Sequence, residues 1–346
     1  MSSFLDLPKA ELHVHLEGSI RPRTLLELAG RRGVRLPADD VEGLRKWFEF
    51  KDFEHFVQVY LKCSECLREP EDFQLLVLDF MEEQARQNIL YSEAHFTVGT
   101  HLMRGCAGRE LRDALWESAR EGEKRFGVTV RWIPDIVRNV PYRWADETLE
   151  WALEGREHGV VALGLSGYEA THPNEPFRSH FRAARKADLP RVVHAGEHAG
   201  PDSIWSSLEV CEPDRLGHGV RAIEDRELVE WLARRRIPLE ICPTSNLCLG
   251  VYPDLERHPF RRLDETGCLV TINSDDPPLF NTTLSREYGR VAEGFGYPRS
   301  EMSRFARTAI EVGFLPPEER REILERWELR ESCKAENVGV GGAKCP

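Results

Sequence analysis

Nowhere does the sequence reach the roughly 18 consecutive apolar residues that a membrane-spanning helix needs. It also lacks a long lysine or arginine block. Its 47 basic residues stand against 59 acidic ones, a net charge of −12. That balance argues against a dedicated nucleic-acid or anionic-membrane surface, where a basic footprint is expected. A disulfide framework is missing too: the nine cysteines are odd in number and scattered along the chain, which fits reduced thiols in the cytoplasm. Cys63 and Cys66 have C-x-x-C spacing, but no second pair lies at a zinc-ribbon distance, so they read as buried thiols one turn apart on a helix. The opening "MSSFLDLPKAELH" has neither the basic nor the apolar region of a signal peptide, and a cytoplasmic location is expected.

What is present is a chain of 346 residues, 41% of them hydrophobic, enough for a sizeable core in one large domain or two ordinary ones. Two apolar periods alternate along it. "ELHVHLE", "NILYSEAHFTV", "VTVRWIPDIV", "GVVALGLSG", "PRVVHAGE", "RLGHG", "IPLEICPTS" and "CLVTINSDD" read as strands. Helical spacing marks 53–69, 71–87, 109–126, 145–157, 177–187, 202–210, 224–235 and 259–266, with further helices up to about residue 330. The near-continuous Val/Ile/Leu cores of these strands suit burial on both faces, hence a parallel sheet. Eight strand–helix repeats close into a (β/α)8 TIM barrel. The rival, a doubly wound sheet, usually carries a Gly-rich phosphate turn after its first strand, and "HLEGSIRP" is no such turn. No repeat or linker divides the chain. The expected layout is one barrel domain over 1–330, a helical insertion after the first strand at about 40–87, and a polar, Gly-rich, mobile tail over 331–346.

In such a barrel the catalytic groups belong at the C-terminal ends of the strands, and unusual polar residues occupy those ends. His13 and His15 lie two apart, so a strand turns both imidazoles to one face. Glu17 follows them. "HAGEH" supplies His194, Glu197 and His198, "GHG" supplies His218, and "INSDDPP" supplies Asp275 and Asp276. Each alone has a bland explanation as a satisfied core histidine, a helix cap or a solvated acid. Together they would put ionisable groups from four strands at one mouth, where desolvation is costly without partners. Three histidines with a carboxylate make a sensible shell for a divalent cation.

"ELHVHLEGSIRP", "HAGE", "GHG" and "SDDP", in this order and on these strands, resemble the adenosine deaminase family of the amidohydrolase superfamily, over roughly residues 7 to 330. The resemblance implies zinc-dependent hydrolytic deamination of a 6-aminopurine, with one zinc per subunit. It makes His13, His15, His194 and Asp275 the zinc ligands and Glu197 the general acid/base. His218 then orients and activates the water, Asp276 contacts purine N7, and the Gly167 amide contacts N3. Protonating N1 requires a raised Glu197 pKa in a closed pocket. Strand four has no lysine to bridge two metals, which favours a single ion. The cysteine-rich zinc motif of cytidine-type deaminases is absent. A non-catalytic purine-binding barrel would be expected to have lost at least one of these residues, and none is missing.

The "HLEGSIRP" and "GLSGYE" forms resemble bacterial aminodeoxyfutalosine deaminases of menaquinone biosynthesis more than adenosine or adenine deaminases. Their substrate is adenosine extended at C5′ by a chain ending in a benzoate. Glu17, where adenosine deaminases place Asp, is expected near the substrate. Phe48, Phe50, Phe53 and Phe56, in "WFEFKDFEHF", would wall an apolar subsite, although each is individually more at home in helix packing. Arg138, at the end of strand three, is the expected cation for the carboxylate.

Overall fold

The computed structural model describes residues 4–337, with side chains described through residue 332. Eight strands follow one another in sequence order around a single sheet: β1 (Lys9–His15), β2 (Ile89–Phe96), β3 (Thr129–Val137), β4 (Leu163–Ser166), β5 (Arg191–Ala195), β6 (Arg215–His218), β7 (Leu239–Ile241) and β8 (Val270–Ile272). Every neighbouring pair is parallel. All residues of β1 and β2 are buried, as strands covered on both faces must be. The ring closes just beyond β8, where Val14 bridges Asp275. The His15 amide donates to the Asp275 carbonyl at 2.8 Å, and the Asp275 amide to the His13 carbonyl at 3.1 Å. The Asn273 side-chain carbonyl accepts the Leu12 and His13 amides at 3.0 and 3.2 Å. These bonds satisfy backbone groups that a frayed edge would leave orphaned. The fold is a TIM barrel, α/β in class.

Helices cover the outside of the ring. Pro22–Arg32 starts on proline and ends at Gly33, the residue pair that suits the two ends of a helix. Within the expected insertion, Val41–Trp47 and Phe53–Ser64 are each capped by an aspartate side chain, Asp40 on the Gly43 amide and Asp52 on the His55 amide. Pro70–Arg86 instead packs along Gly108–Phe126 as part of the outer ring. Cys63 and Cys66 are buried free thiols, although the helix ends at Ser64, before the second of them.

Two expectations need correcting. "IPLEICPTS" is strand only over Leu239–Ile241, because Pro243 opens a short helix, Pro243–Cys248. The tail does not begin at 331: the last helix spans Pro317–Asn337, anchored by Trp327, whose indole N–H donates to the Pro8 carbonyl at 2.9 Å. Residues 338–346 lie outside the described residues. No helix among the described residues is long and apolar enough to cross a membrane.

Candidate metal centre and active site

β1 delivers His13 and His15 to one point at the C-terminal rim, β5 delivers His194, and the turn after β8 delivers Asp275. His15 Nε2 lies 3.3 Å from His194 Nε2 and 3.3 Å from Asp275 Oδ1, and His13 Nε2 lies 3.5 Å from the same oxygen. Tetrahedral zinc with bonds near 2.0–2.1 Å separates its ligand atoms by about 3.3–3.4 Å. The donor chemistry fits as well. His194 Nδ1 lies 3.0 Å from the Leu165 carbonyl, which only accepts, so Nδ1 carries the proton and Nε2 presents a lone pair. Burial holds the His194 pKa well below its usual value, so the ring is neutral. His13 Nε2 is buried without a hydrogen-bond partner, while its Nδ1 is 2.9 Å from Glu240 Oε2. Burial lowers the pKa of His13 and of His15. With no ion present, the carboxylates of Asp275 and Glu240 nevertheless raise the first to about 10, and those of Asp276 and Asp275 raise the second to about 9, so a bound cation would take the place of their protons. The four residues therefore suit a divalent ion, with carbonyl and carboxylate partners orienting the rings.

Both turns that complete the site carry backbone strain. His218 (φ +60°) and Asp275 (φ +64°) sit in the left-handed region that non-glycine residues enter at a cost. Close packing also demands glycine at two points. A Cβ at Gly217 would lie 2.8 Å from His13 Cε1, and one at Gly18 would lie 1.6 Å from Asp276 Oδ1.

Glu197 sits beside the ligand cluster, with Oε2 at 3.0 Å from His198 Nδ1 and 3.7 Å from His218 Nε2. Its Oε1 is buried with no partner. Burial pushes its pKa up, but the charges of His198 and His218 outweigh burial, and the net shift is downward. In the ligand-free pocket Glu197 is thus a carboxylate, ready to accept a proton; the raised pKa is an expectation for the closed, substrate-filled pocket. Asp276 behaves oppositely. Burial, then the adjacent Asp275 charge, holds its pKa well above the usual range, so it keeps its proton. Its Oδ1 is likewise buried and unpartnered.

A chain of directional hydrogen bonds fixes the tautomer of His218. The Phe260 amide donates to His258 Nδ1 at 3.2 Å, leaving the His258 proton on Nε2, which donates to Asn246 Oδ1 at 3.1 Å. The Asn246 amide nitrogen lies 3.3 Å from His218 Nδ1 and donates to it. The His218 proton is therefore on Nε2, which faces Glu197 Oε2 and Asp275 Oδ2, the latter at 3.9 Å. Burial, and then the charge of His218, lowers the His258 pKa to about 3. His258 is thus neutral, as the relay requires.

No sequence motif marks this relay, nor the supports beneath the histidine cluster. Glu240 on β7 holds His13 and is itself gripped by the fully buried Arg215, which also pairs with Glu93. Asp135 on β3 accepts from His95 Nδ1 at 2.9 Å. Glu169 accepts the amides of Glu197, His198 and Ala199 at 3.1, 3.0 and 3.0 Å and pins the turn that presents Glu197. The available signal was an acid inside a buried strand, as in "PLEIC" and "IPDIV", where only a partner makes the charge tolerable.

A cavity of about 360 Å³ opens onto the ligand cluster. Asp276, Glu197 and Gly167 (φ +94°) line its inner end, and Phe53, Phe56, Val57 and Leu61 line another wall. Phe53 packs on His198 with ring centroids 4.2 Å apart, and Phe56 stacks on Phe280 at 5.3 Å. Phe48 is buried in the core and Phe50 packs against Phe56, neither lining the cavity. Glu17 lies behind the wall, its Oε1 accepting the Thr97 amide at 2.9 Å and pairing with His101 Nε2 at 3.0 Å. Arg138 requires a correction. It is buried outside the lining, its guanidinium donating to Asn174 Oδ1 and to the His194 carbonyl, both at 2.9 Å. It braces His194 from behind and offers no free face to a substrate. A larger cleft of about 710 Å³ between Pro22–Arg32 and Pro70–Arg86 contains none of the converging histidines.

A parallel eight-stranded barrel with this cluster at its C-terminal rim defines an amidohydrolase-type enzyme. The chain belongs to the adenosine deaminase family, whose model, described as "Adenosine deaminase", matches residues 8–328. It is 39% identical over 318 residues to the aminodeoxyfutalosine deaminase of Streptomyces avermitilis, covering 91% of this chain and 89% of that one. It is 35% identical over 327 residues to an adenine deaminase of Hahella chejuensis, covering 94% and 98%. Among solved structures, the adenine deaminase of Arthrobacter aurescens superposes with a TM-score of 0.88 at 28% identity, covering 93% of this chain and 98% of that one. The chain is a hydrolase acting on C–N bonds, and purine deamination is its chemistry.

Proposed function

We propose that this protein is a zinc-dependent deaminase of 6-aminopurine nucleosides, with one zinc per subunit. Its preferred substrate is 6-aminodeoxyfutalosine, consumed in the cytoplasm during menaquinone biosynthesis, ahead of adenosine or adenine. The observation that carries the reading is the convergence of His13, His15, His194 and Asp275 at 3.3–3.5 Å edges beside the unpartnered oxygen of Glu197. Zinc held there would supply the Lewis acidity that makes water nucleophilic near neutral pH.

The remaining work falls to the protein's own groups. As the water oxygen bonds to C6, Glu197 takes the water's proton and passes it to N1, offsetting the loss of ring aromaticity. His218, its Nε2 proton fixed by the relay, aims at the attacking oxygen. The remaining hydroxyl proton then moves through Glu197 to the amine. The C6–N6 bond breaks, ammonia leaves, and C6 keeps a carbonyl. Protonated Asp276 donates to N7, and the Gly167 amide meets N3. Two features support the 5′-extended substrate: the cavity continues along Phe53, Phe56, Val57 and Leu61, and the relative 39% identical to this chain bears that activity in its name.

Ammonia release should be followed side by side with adenine, adenosine, 5′-methylthioadenosine and aminodeoxyfutalosine. The reading requires the highest kcat/KM for aminodeoxyfutalosine. Faster turnover of adenosine or adenine would reassign the protein to purine salvage.

A further inference from the structure

With Arg138 committed to carbonyl groups behind the site, the one lysine or arginine among the described residues lining the cavity is Arg104. It follows the helix Val98–Met103, which leaves the rim directly after β2. Thr97, Thr100 and Arg104 recur at three- and four-residue spacing, so they share one face of that segment, and all three line the cavity. At 1.5 Å per residue, the seven steps from Thr97 to Arg104 carry the wall about 10 Å away from the metal end. Leu61, Met103 and Val57 line the same outer stretch.

The guanidinium itself is under-used. Its one hydrogen bond is to the Leu61 carbonyl, at 3.2 Å. Among the described residues no carboxylate pairs with it. Nearby Arg68, by contrast, pairs with Glu65 at 3.5 Å. A cation at the mouth of an apolar pocket, with planar donors to spare, is suited to a carboxylate.

We propose that Arg104 is the residue that reads the far end of the substrate, and that it selects 6-aminopurine nucleosides whose C5′ carries an apolar arm ending in a carboxylate. The inference rests on the function proposed above and adds the specificity-determining contact. A 5′-phosphate would also offer an anion, of about −1.5 to −2 near pH 7, but one attached directly to C5′ would be too short to cross the stretch between Thr97 and Arg104.

The test compares wild type with Arg104→Gln and Arg104→Lys, using aminodeoxyfutalosine, its methyl ester, AMP and adenosine as substrates. Wild type should prefer the free acid to the ester. Arg104→Gln should lower kcat/KM for the acid about ten- to a hundredfold more than for the ester, the range for a charge-assisted contact, mainly through KM. Arg104→Lys should recover part of that difference. Equal losses on acid and ester, or no loss, would overturn the role of Arg104, and so would AMP outperforming the carboxylate substrate. If wild type already prefers adenosine to aminodeoxyfutalosine, the substrate reading itself fails, whatever the variants do.

Discussion

At the scale of single residues, the account makes Glu197 a base that begins the cycle ionised. Glu197→Gln leaves the four proposed metal-binding side chains in place but removes the proposed proton carrier. Its zinc content should match wild type while kcat falls by about 10²–10⁴; near-normal turnover would remove Glu197 from that role. Gly18→Ala forces a Cβ to within 1.6 Å of Asp276 Oδ1, so Asp276 must move. The expected outcome is a large loss of kcat/KM on every purine substrate, measured on protein whose circular dichroism is unchanged. Arg138→Met removes the donor to the His194 carbonyl and to Asn174 Oδ1, at about 1–3 kcal/mol for each buried acceptor left unpaired. Denaturant unfolding should show that loss, and all substrates should suffer alike. Arg138 marks the limit of position along the chain as a guide. Position at a strand end places a residue near the rim, but only the packed partners reveal whether it turns toward the cavity or under it. The histidines were easier to read, because i, i+2 spacing in a strand settles a common face.

At the scale of elements, the strand–helix alternation was legible because each strand is a short buried run and each ring helix keeps one apolar stripe. The exceptions have local causes. Pro243 ends β7 early by starting a helix, and the final helix runs to Asn337 although its sequence turns polar. Invisible to any periodicity was the line from the Phe260 amide through His258 and Asn246 to His218, since it joins β6 to the segments that follow β7. Asn246→Leu removes the donor that keeps the His218 proton on Nε2. Its kcat should fall by about an order of magnitude or more with KM little changed, and its pH–rate profile should shift; an unaltered profile would show that the relay does not set the tautomer. The orienting carboxylate on β7 makes a separate prediction. Glu240→Gln should weaken zinc affinity by about 10- to 100-fold, read by competition with a chelator.

At the scale of the whole molecule, burial ties stability to pH. His258 has a folded pKa of about 3, against 6.5 for the free side chain. The unfolded chain therefore binds one more proton than the native state between those values. Its contribution is fully present above pH 6.5 and is lost as pH falls toward 3, with a slope of up to about 1.4 kcal/mol per pH unit. His258→Asn should flatten the dependence of the urea midpoint on pH between 7 and 5; an identical slope would contradict the assignment. The same architecture explains the limit of the sequence. Positions 13, 194 and 275 are far apart along the chain, and only barrel closure at Val14 and Asp275 brings them together.

That meeting is the central claim, and anomalous X-ray scattering at the zinc edge, from crystals grown with added zinc, tests it most directly. The account predicts one strong peak per subunit, about 2.0–2.2 Å from Nε2 of His13, His15 and His194 and from Asp275 Oδ1. A crystal with no peak there, or with zinc bound only elsewhere on the molecule, would contradict it.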